Sequence, residues 1–362
     1  MHLFDRIGDE YEQVVVCNDA ATGLRAVVAI HSTVLGPALG GTRFYPYRSE
    51  DEAVEDVLRL ARGMTYKAAA AGLDLGGGKA VIIGNPSRRK TEALLRTYGR
   101  FVDSLGGRYI TAEDVGTTQA DMDLIFRETR NVTGVSRSLG GSGDPSAATA
   151  YGVSWAMKAA MEALDGTTDL AGRHVVVSGV GKVGTALVRH LVENRARVSV
   201  ADVDAAAVAR VTGDFDVAAV PVADAHTVAC DIFSPCGLGA VLSERTVAGL
   251  GCRAVVGAAN NQLAADADAA RIADRGILYL PDFIVNAGGV INIAEELVGY
   301  NRERAYAGVR GIYATSRLVL AMAAEHSSTT AAAAEALARG RMADVGGAAR
   351  IRTFQPPTRR PR

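Results

Sequence analysis

HVVVSGVGKVG, residues 174–184, runs an apolar, β-branched stretch directly into a glycine-rich turn. The stretch reads as a buried strand. Gly179, Gly181 and Gly184 then space a G-x-G-x-x-G turn that opens a helix, with Val180, Lys182 and Val183 between them. Glycine lets such a turn close and lets the backbone approach a pyrophosphate, which rests on the helix N-terminus. The bare motif also fits any tight strand-to-helix turn, so its surroundings matter. The next apolar run, 197–201 (RVSVA), ends at Asp202, where a carboxylate can accept from a ribose 2′-hydroxyl. No arginine follows Asp202 directly to receive a 2′-phosphate; the chain continues VDAAAVA. The residues point to NAD rather than NADP.

Working outward, short apolar runs recur at 217–222, 230–234, 254–258 and 277–280, spaced by helical or turn segments, and a helix from Ala147 precedes them all. That is the pattern of a parallel sheet covered on both faces. Upstream, SLGGSGDPS (138–146) is dense in Gly, Ser and Pro and marks a boundary. Before it, 13–17 (QVVVC) and 24–31 (LRAVVAIH) read as strands joined by a turn, followed by a Gly-rich loop. Ser49 with Glu52 is a capping-box signature opening a helix over 50–63. A strand at 79–83, a helix at 91–104, a strand at 108–111 and a helix near Ala120 complete a mixed-sheet unit. The expected fold is two-domain α/β: a substrate-binding and oligomerisation domain over 1–137, completed by a C-terminal helix at about 328–347, and a Rossmann-type doubly wound domain over 138–327. The last residues, 348–362, end in FQPPTRRPR and are expected to be disordered.

Composition narrows the function classes. The 362 residues suit two domains, and 48% hydrophobic with 22% charged residues describes a soluble globular chain. A formal charge of −1 gives no net field toward nucleic acid or an anionic membrane. Cys17, Cys230, Cys236 and Cys252 show no metal-ligand spacing, so no metal is expected; each sits in or beside an apolar run and reads as a buried, reduced thiol. The acidic N-terminus lacks an apolar signal region, and no apolar run is long enough to span a membrane. A cytoplasmic protein is expected.

Cations are 34 Arg but only 5 Lys: Lys67, Lys79, Lys90, Lys158 and Lys182. A surviving lysine is therefore enriched for places needing a compact ammonium that can lose its proton. Lys79 follows Gly76, Gly77 and Gly78 into the strand KAVII, with Lys67 shortly before it in MTYKAAAAG. Read functionally, Lys79 is a base on a rigid strand beside amides that can hold an oxyanion. Two ammonium groups in one cleft would each favour deprotonation of the other. Glu113-Asp114 follows a strand end and offers one carboxylate as proton carrier, though turn and capping chemistry also accounts for such residues. Ala258-Ala-Asn260-Asn261 and the stretch from Pro281 through Asn286 to Gly289 follow late strands, where ligands of open α/β sheets bind.

These motifs together resemble the Glu/Leu/Phe/Val dehydrogenases, and within them the branched-chain group. The resemblance runs from about residue 10 to 345 and is carried by HSTVLGPALGGTRFYPY, ARGMTYKAAAAGLDLGGGKAVI, YITAEDVGTTQADMD, GSGDPSAATAYGV, GVGKVG, AANNQL and PDFIVNAGGVIN. It implies a substrate domain and a cofactor domain with a cleft between them, in a homo-oligomer. It implies Lys79 as catalytic base, Lys67 as ligand of the substrate α-carboxylate and Asp114 in proton transfer. Gly40, Gly41, Asn261 and Asn286 would line the substrate site, and Thr149, Ala258 and Asn260 the cofactor site. Glutamate-specific relatives place a lysine near the position of Leu39, which would leave Leu39, Ala112, Val290 and Ile293 as an apolar pocket wall. The activity implied is reversible, NAD-dependent oxidative deamination of valine, leucine or isoleucine. Phenylalanine is the alternative substrate, and a non-catalytic NAD sensor a remote one. In the sequence SPCGLGA (234–240), the commoner family pattern is APCALGG.

Overall fold

The computed structural model describes residues 3–348, so the expected tail beyond Ala348 lies outside the described residues. The chain divides into two compact units. One takes the chain through Asp144, with Ile293–Asn301 and the chain from Ala338 on; the other takes Pro145–Asn292 and Arg302–Leu337.

The first unit is built on a mixed sheet in the order β1-β2-β4-β3-β5. Its strands are β1 Gln13–Asp19, β2 Leu24–Ser32, β3 Ala38–Tyr45, β4 Gly76–Ile83 and β5 Tyr109–Glu113. β2 pairs antiparallel with β1 and β4, whereas β3 lies parallel between β4 and β5. Alternate residues of β2 serve opposite layers, as the pleat requires. Ala26, Val28 and Ile30 pack with Leu94, Leu95, Tyr98 and Met122, while Val27 and Ala29 pack with Ala53, Val57, Leu58 and Ala61. Both faces being covered, β2 is almost wholly buried.

Three expectations change here. The Gly-rich stretch after β2 contains a central strand, β3, and is not a loop. The helix expected over 50–63 runs Glu50–Ala70, capped by Ser49 accepting from the Glu52 N–H, so Lys67 stands in its last turn. Gly76, Gly77 and Gly78 lie inside β4 as ladder residues rather than in a loop before it. Their missing side chains make room. A Cβ at Gly77 would collide with Thr65 of the helix, and one at Gly78 would sit 2.8 Å from the Tyr109 ring. Close packing, not an oxyanion hole, accounts for these glycines.

The second unit has an all-parallel sheet, ordered β11-β10-β9-β6-β7-β8. Its strands are β6 His174–Ser178, β7 Arg197–Ala201, β8 Ala218–Ala219, β9 Cys230–Pro235, β10 Cys252–Val255 and β11 Leu278–Tyr279. Only two residues of the run 217–222 pair as a strand. Val176 packs with Phe233, Val247, Val255 and Ile272; Val175 and Val177 point to the opposite face and are equally buried. Strand order reverses between β6 and β9, the switch point at which doubly wound sheets bind ligands. Cys17 and Cys252 are buried, but Cys230 and Cys236 are only half-buried, because Cys230 opens β9 and Cys236 follows its end. All four are free thiols, and burial pushes Cys17 and Cys252 up to about 11 and Cys230 to about 12.

Among the described residues no helix is long and apolar enough to cross a membrane, and no cluster of His, Cys, Asp and Glu is placed to hold a metal.

Candidate active-site residues

In the first unit three neighbouring parallel strands bring charged residues together: Lys79 on β4, Arg43 on β3 and Asp114 just past the end of β5. Thr42 is paired with Ala80, which sets Gly41 level with Lys79, and Gly41 is itself paired with Ala112. Paired residues of parallel strands share a face, and Asp114 lies two residues beyond Ala112 on that face. Lys79 and Asp114 thus flank β3, about 10 Å apart at two strand spacings. Yet the Lys79 ammonium forms an ion pair with Asp114 Oδ2. The side chains meet above Gly41, where a Cβ would lie 2.5 Å from the Glu113 carbonyl oxygen and 2.9 Å from Asp114 Cβ. Gly40 is equally constrained, since a Cβ there would strike the Gly78 carbonyl. Neither glycine needs a ligand to explain it.

Arg43, two residues along β3, donates from Nε to Asp114 Oδ1 at 3.0 Å and from Nη1 to Asp56 Oδ2 at 2.8 Å. The Tyr47 hydroxyl donates to Asp56 Oδ2 at 2.7 Å, and Arg59 donates to Asp56 Oδ1 at 2.9 Å. Asp114 Oδ1 also accepts the Val115 N–H at 2.8 Å. Burial alone would raise the Asp114 pKa, but Lys79 and Arg43 outweigh it and hold the carboxyl down at about 2. Lys90 fastens the loop beyond it, donating to the Gly116 carbonyl at 3.0 Å and to Asp121 at 2.7 Å.

The immediate partner of Lys79 is thus the Asp114 carboxylate. Lys79 is only 4% exposed, while Lys67 is half-buried on the helix Glu50–Ala70. Leu39 has no accessible surface and Ala112 almost none, so Leu39 offers no open wall to a ligand in this structure. Sequence reading missed Arg43, Asp56 and Tyr47. The available signal was an arginine flanked by Thr42 and Phe44, both buried, in the strand hidden by two glycines.

In the second unit the three motif glycines separate by role. Gly179 has φ +105°, and a Cβ there would strike the Gly237 backbone nitrogen. A Cβ at Gly184 would collide with the Gly179 carbonyl, so this glycine sets the helix against the turn. Gly181 caps the helix Lys182–Glu193 without a side-chain bond, and a Cβ built on it meets nothing within 4 Å. The open space lies where backbone amides at a helix start receive an anion. Val180 is buried and donates its N–H to Asp202 Oδ2 at 2.7 Å; Asp202 Oδ1 accepts the Asp204 N–H at 2.9 Å. Lys182 is exposed and Val183 half-buried.

Asn286 brings the two late segments together, donating from Nδ2 to the Ala258 carbonyl at 3.0 Å and to Asn260 Oδ1 at 2.8 Å. Its Oδ1 is buried with no hydrogen-bond partner. Asn261 adopts a left-handed φ of 51° and donates its N–H to Asp282. Thr149, in the first turn of the helix Ser146–Asp165, donates to the Pro145 carbonyl at 3.1 Å, and a Cβ on Gly289 would lie 2.7 Å from its hydroxyl. Val290 is buried in this unit; Ile293 is half-buried and belongs to the first. The free space at Gly181 and the anchored Asp202 fit a dinucleotide.

Residues 11–131 match the family model described as Glu/Leu/Phe/Val dehydrogenase, dimerisation domain. Residues 140–221 and 210–345 match the model Glutamate/Leucine/Phenylalanine/Valine dehydrogenase. A leucine dehydrogenase of Geobacillus stearothermophilus is 52% identical over 92% of this chain and 91% of its own. A valine dehydrogenase of Streptomyces virginiae is 54% identical over 95% of this chain and 97% of its own. Among solved structures, the L-tryptophan dehydrogenase from Nostoc punctiforme superimposes with a TM-score of 0.82 at 42% identity, covering 94% of this chain and 98% of that one.

Proposed function

The chain belongs to the Glu/Leu/Phe/Val dehydrogenase family, and from that premise we propose that it catalyses reversible, NAD-dependent oxidative deamination of branched-chain aliphatic L-amino acids. Amino acid, NAD⁺ and water give 2-oxo acid, ammonium, NADH and a proton. The observation that carries the chemistry is a nearly buried lysine on a central strand, paired with an ionised carboxylate.

Bound NAD would supply the hydride acceptor, so that the substrate Cα could become an iminium carbon. Gly179, Val180, Gly181, Lys182, Val183 and Gly184 would hold its pyrophosphate, Asp202 its adenosine ribose, and Thr149, Ala258 and Asn260 its remaining length. Support comes from the uncapped helix start and from the Asp202 carboxylate bound to the Val180 amide. By the family resemblance Lys67 would bind the substrate α-carboxylate, and Asn261 and Asn286 would orient the amino acid. Lys79, once it has shed its proton, takes one from the water that attacks the iminium carbon. Asp114 aims that ammonium and relays the proton taken up by Lys79 to the departing amine; with Lys79 and Arg43 outweighing burial and holding its pKa down at about 2, it carries no proton of its own at rest. A dry site strengthens each of these charge interactions.

By the family resemblance Ala112, Val290 and Ile293 would be the apolar contacts of the substrate side chain; in this structure the first two are buried and Ile293 is half-buried. No lysine stands at Leu39, so a second substrate carboxylate would be buried unpaired, at a cost of several kcal/mol. A panel of L-amino acids tests the reading. Valine and leucine should give NADH and ammonia one to one, and glutamate almost none; phenylalanine leading the panel would move the chain to the aromatic subgroup. We infer a homo-oligomer as well, supported by the match of residues 11–131 to a dimerisation domain; a monomeric mass by light scattering would contradict it.

A further inference from the structure

We propose that Arg43 is a positioning residue for the lysine base: by sharing the Asp114 carboxylate and being balanced by Asp56, it lets Asp114 aim Lys79 without locking the proton on it. The inference rests on reading Lys79 as the base.

A base held by a carboxylate faces a conflict. The same negative charge that aims the ammonium also resists its deprotonation. Here Asp114 does not belong to Lys79 alone. One oxygen meets Lys79, and the other takes Arg43 Nε at 3.0 Å and the Val115 amide at 2.8 Å. Arg43 is a permanent cation, so Lys79 is opposed by a positive charge across the carboxylate as well as attracted by the carboxylate itself. Arg43 is in turn held by Asp56 at 2.8 Å, which is tied by the Tyr47 hydroxyl and by Arg59. Burial disfavours the charged guanidinium, and Asp114 and Asp56 together reverse that. Burial likewise opposes the Asp56 charge, but Tyr47, Arg43 and Arg59 hold its pKa below the usual carboxylate value.

The charged groups linked to Lys79 through these ion pairs are Asp114 after β5, Arg43 on β3, and Asp56 and Arg59 on the helix Glu50–Ala70, with Tyr47 beside Asp56; Lys67 stands in the last turn of that helix and Glu113 ends β5. His31 of β2 reaches the same helix through Thr65 at 2.9 Å, and burial lowers its pKa, favouring the neutral ring. Arg43 and Asp56 act on Lys79 with opposite signs. Removing Arg43 leaves Asp114 with Lys79 and the neutral Val115 amide, without the opposing positive charge, and makes deprotonation harder. Removing the Asp56 charge leaves the Arg43 charge less compensated and makes it easier. A merely structural network would show no such opposition.

The test reads Lys79 directly in the full chain, without substrate or NAD. Labelling by trinitrobenzenesulfonate is followed against pH, and the Lys79 peptide quantified by mass spectrometry. In R43M the labelling midpoint should rise by about one pH unit, the scale of a unit charge several ångströms away at intermediate dielectric. In D56N it should fall by a smaller amount, and R43K, which keeps the charge, should stay near wild type. In the same variants the acid limb of kcat for leucine should move with the labelling midpoint. Unmoved midpoints, or midpoints moving in the same direction in R43M and D56N, overturn the proposal; should R43M fail to fold, the direction in D56N decides alone. Wild-type turnover of leucine tests the dehydrogenase reading separately, because the labelling shift does not depend on it.

Discussion

Lys79→Ala is expected to lower kcat for leucine by about a thousandfold or more, while the affinity for NAD barely changes. Losing a general base costs typically 10²–10⁴-fold, and here the same side chain is also the partner of a buried carboxylate. Truncation leaves Asp114 with Arg43 and the Val115 amide as its remaining partners, so the fold should survive. The NAD motif lies in the other unit, which is why cofactor binding should be spared. Lys79→Arg should fail almost as badly, since a guanidinium keeps its proton at any working pH. Steady-state kinetics with a direct NAD titration check both variants. An Arg variant with wild-type turnover, or an Ala variant within tenfold of it, would remove the base from the mechanism.

Asp202→Ser is expected to lower kcat/KM for NAD by about 10–100-fold, or ~1.4–2.8 kcal/mol. Two things are lost together. The ribose loses its acceptor, and the glycine turn loses the carboxylate that holds the Val180 amide at 2.7 Å. Val203 is 90% exposed, so Val203→Arg can be added without disturbing a core, and the double variant should gain turnover with NADP. In wild type a 2′-phosphate would face the Asp202 carboxylate at close range, and NADP should be used poorly. Equal wild-type rates on the two cofactors would show that Asp202 does not choose between them.

The parts of the fold legible from sequence were those in which local pattern and tertiary role agree. HVVVS followed by GVGKVG states strand, turn and helix within eleven residues, and no distant contact is needed to interpret it. Lys79 stood out because lysine is scarce in this chain and rarer still in an apolar strand. β3 was hidden for the opposite reason. Glycines weaken strand propensity, and ALGGTRFY carries two of them for reasons fixed only in three dimensions, the approach of the Gly78 carbonyl to Gly40 and of Glu113 and Asp114 to Gly41. Arg43 was hidden by number: among 34 arginines nothing local marks the one balanced between two aspartates. The glycines at 76–78 suggested a ligand because their entropic cost demanded a reason, and the reason proved to be the close approach of Thr65 and Tyr109. Leu39 was placed by resemblance, which aligns positions without saying how deeply each is covered.

The most direct measurement of the account is the ratio of kcat/KM for leucine to that for glutamate, with NAD and the purified chain, following NADH and ammonia together. The ratio should lie well above a hundredfold, with one ammonia released per NADH, because an unpaired carboxylate costs several kcal/mol in an apolar pocket. Glutamate turned over as well as leucine, or NADH formed without ammonia, would contradict it.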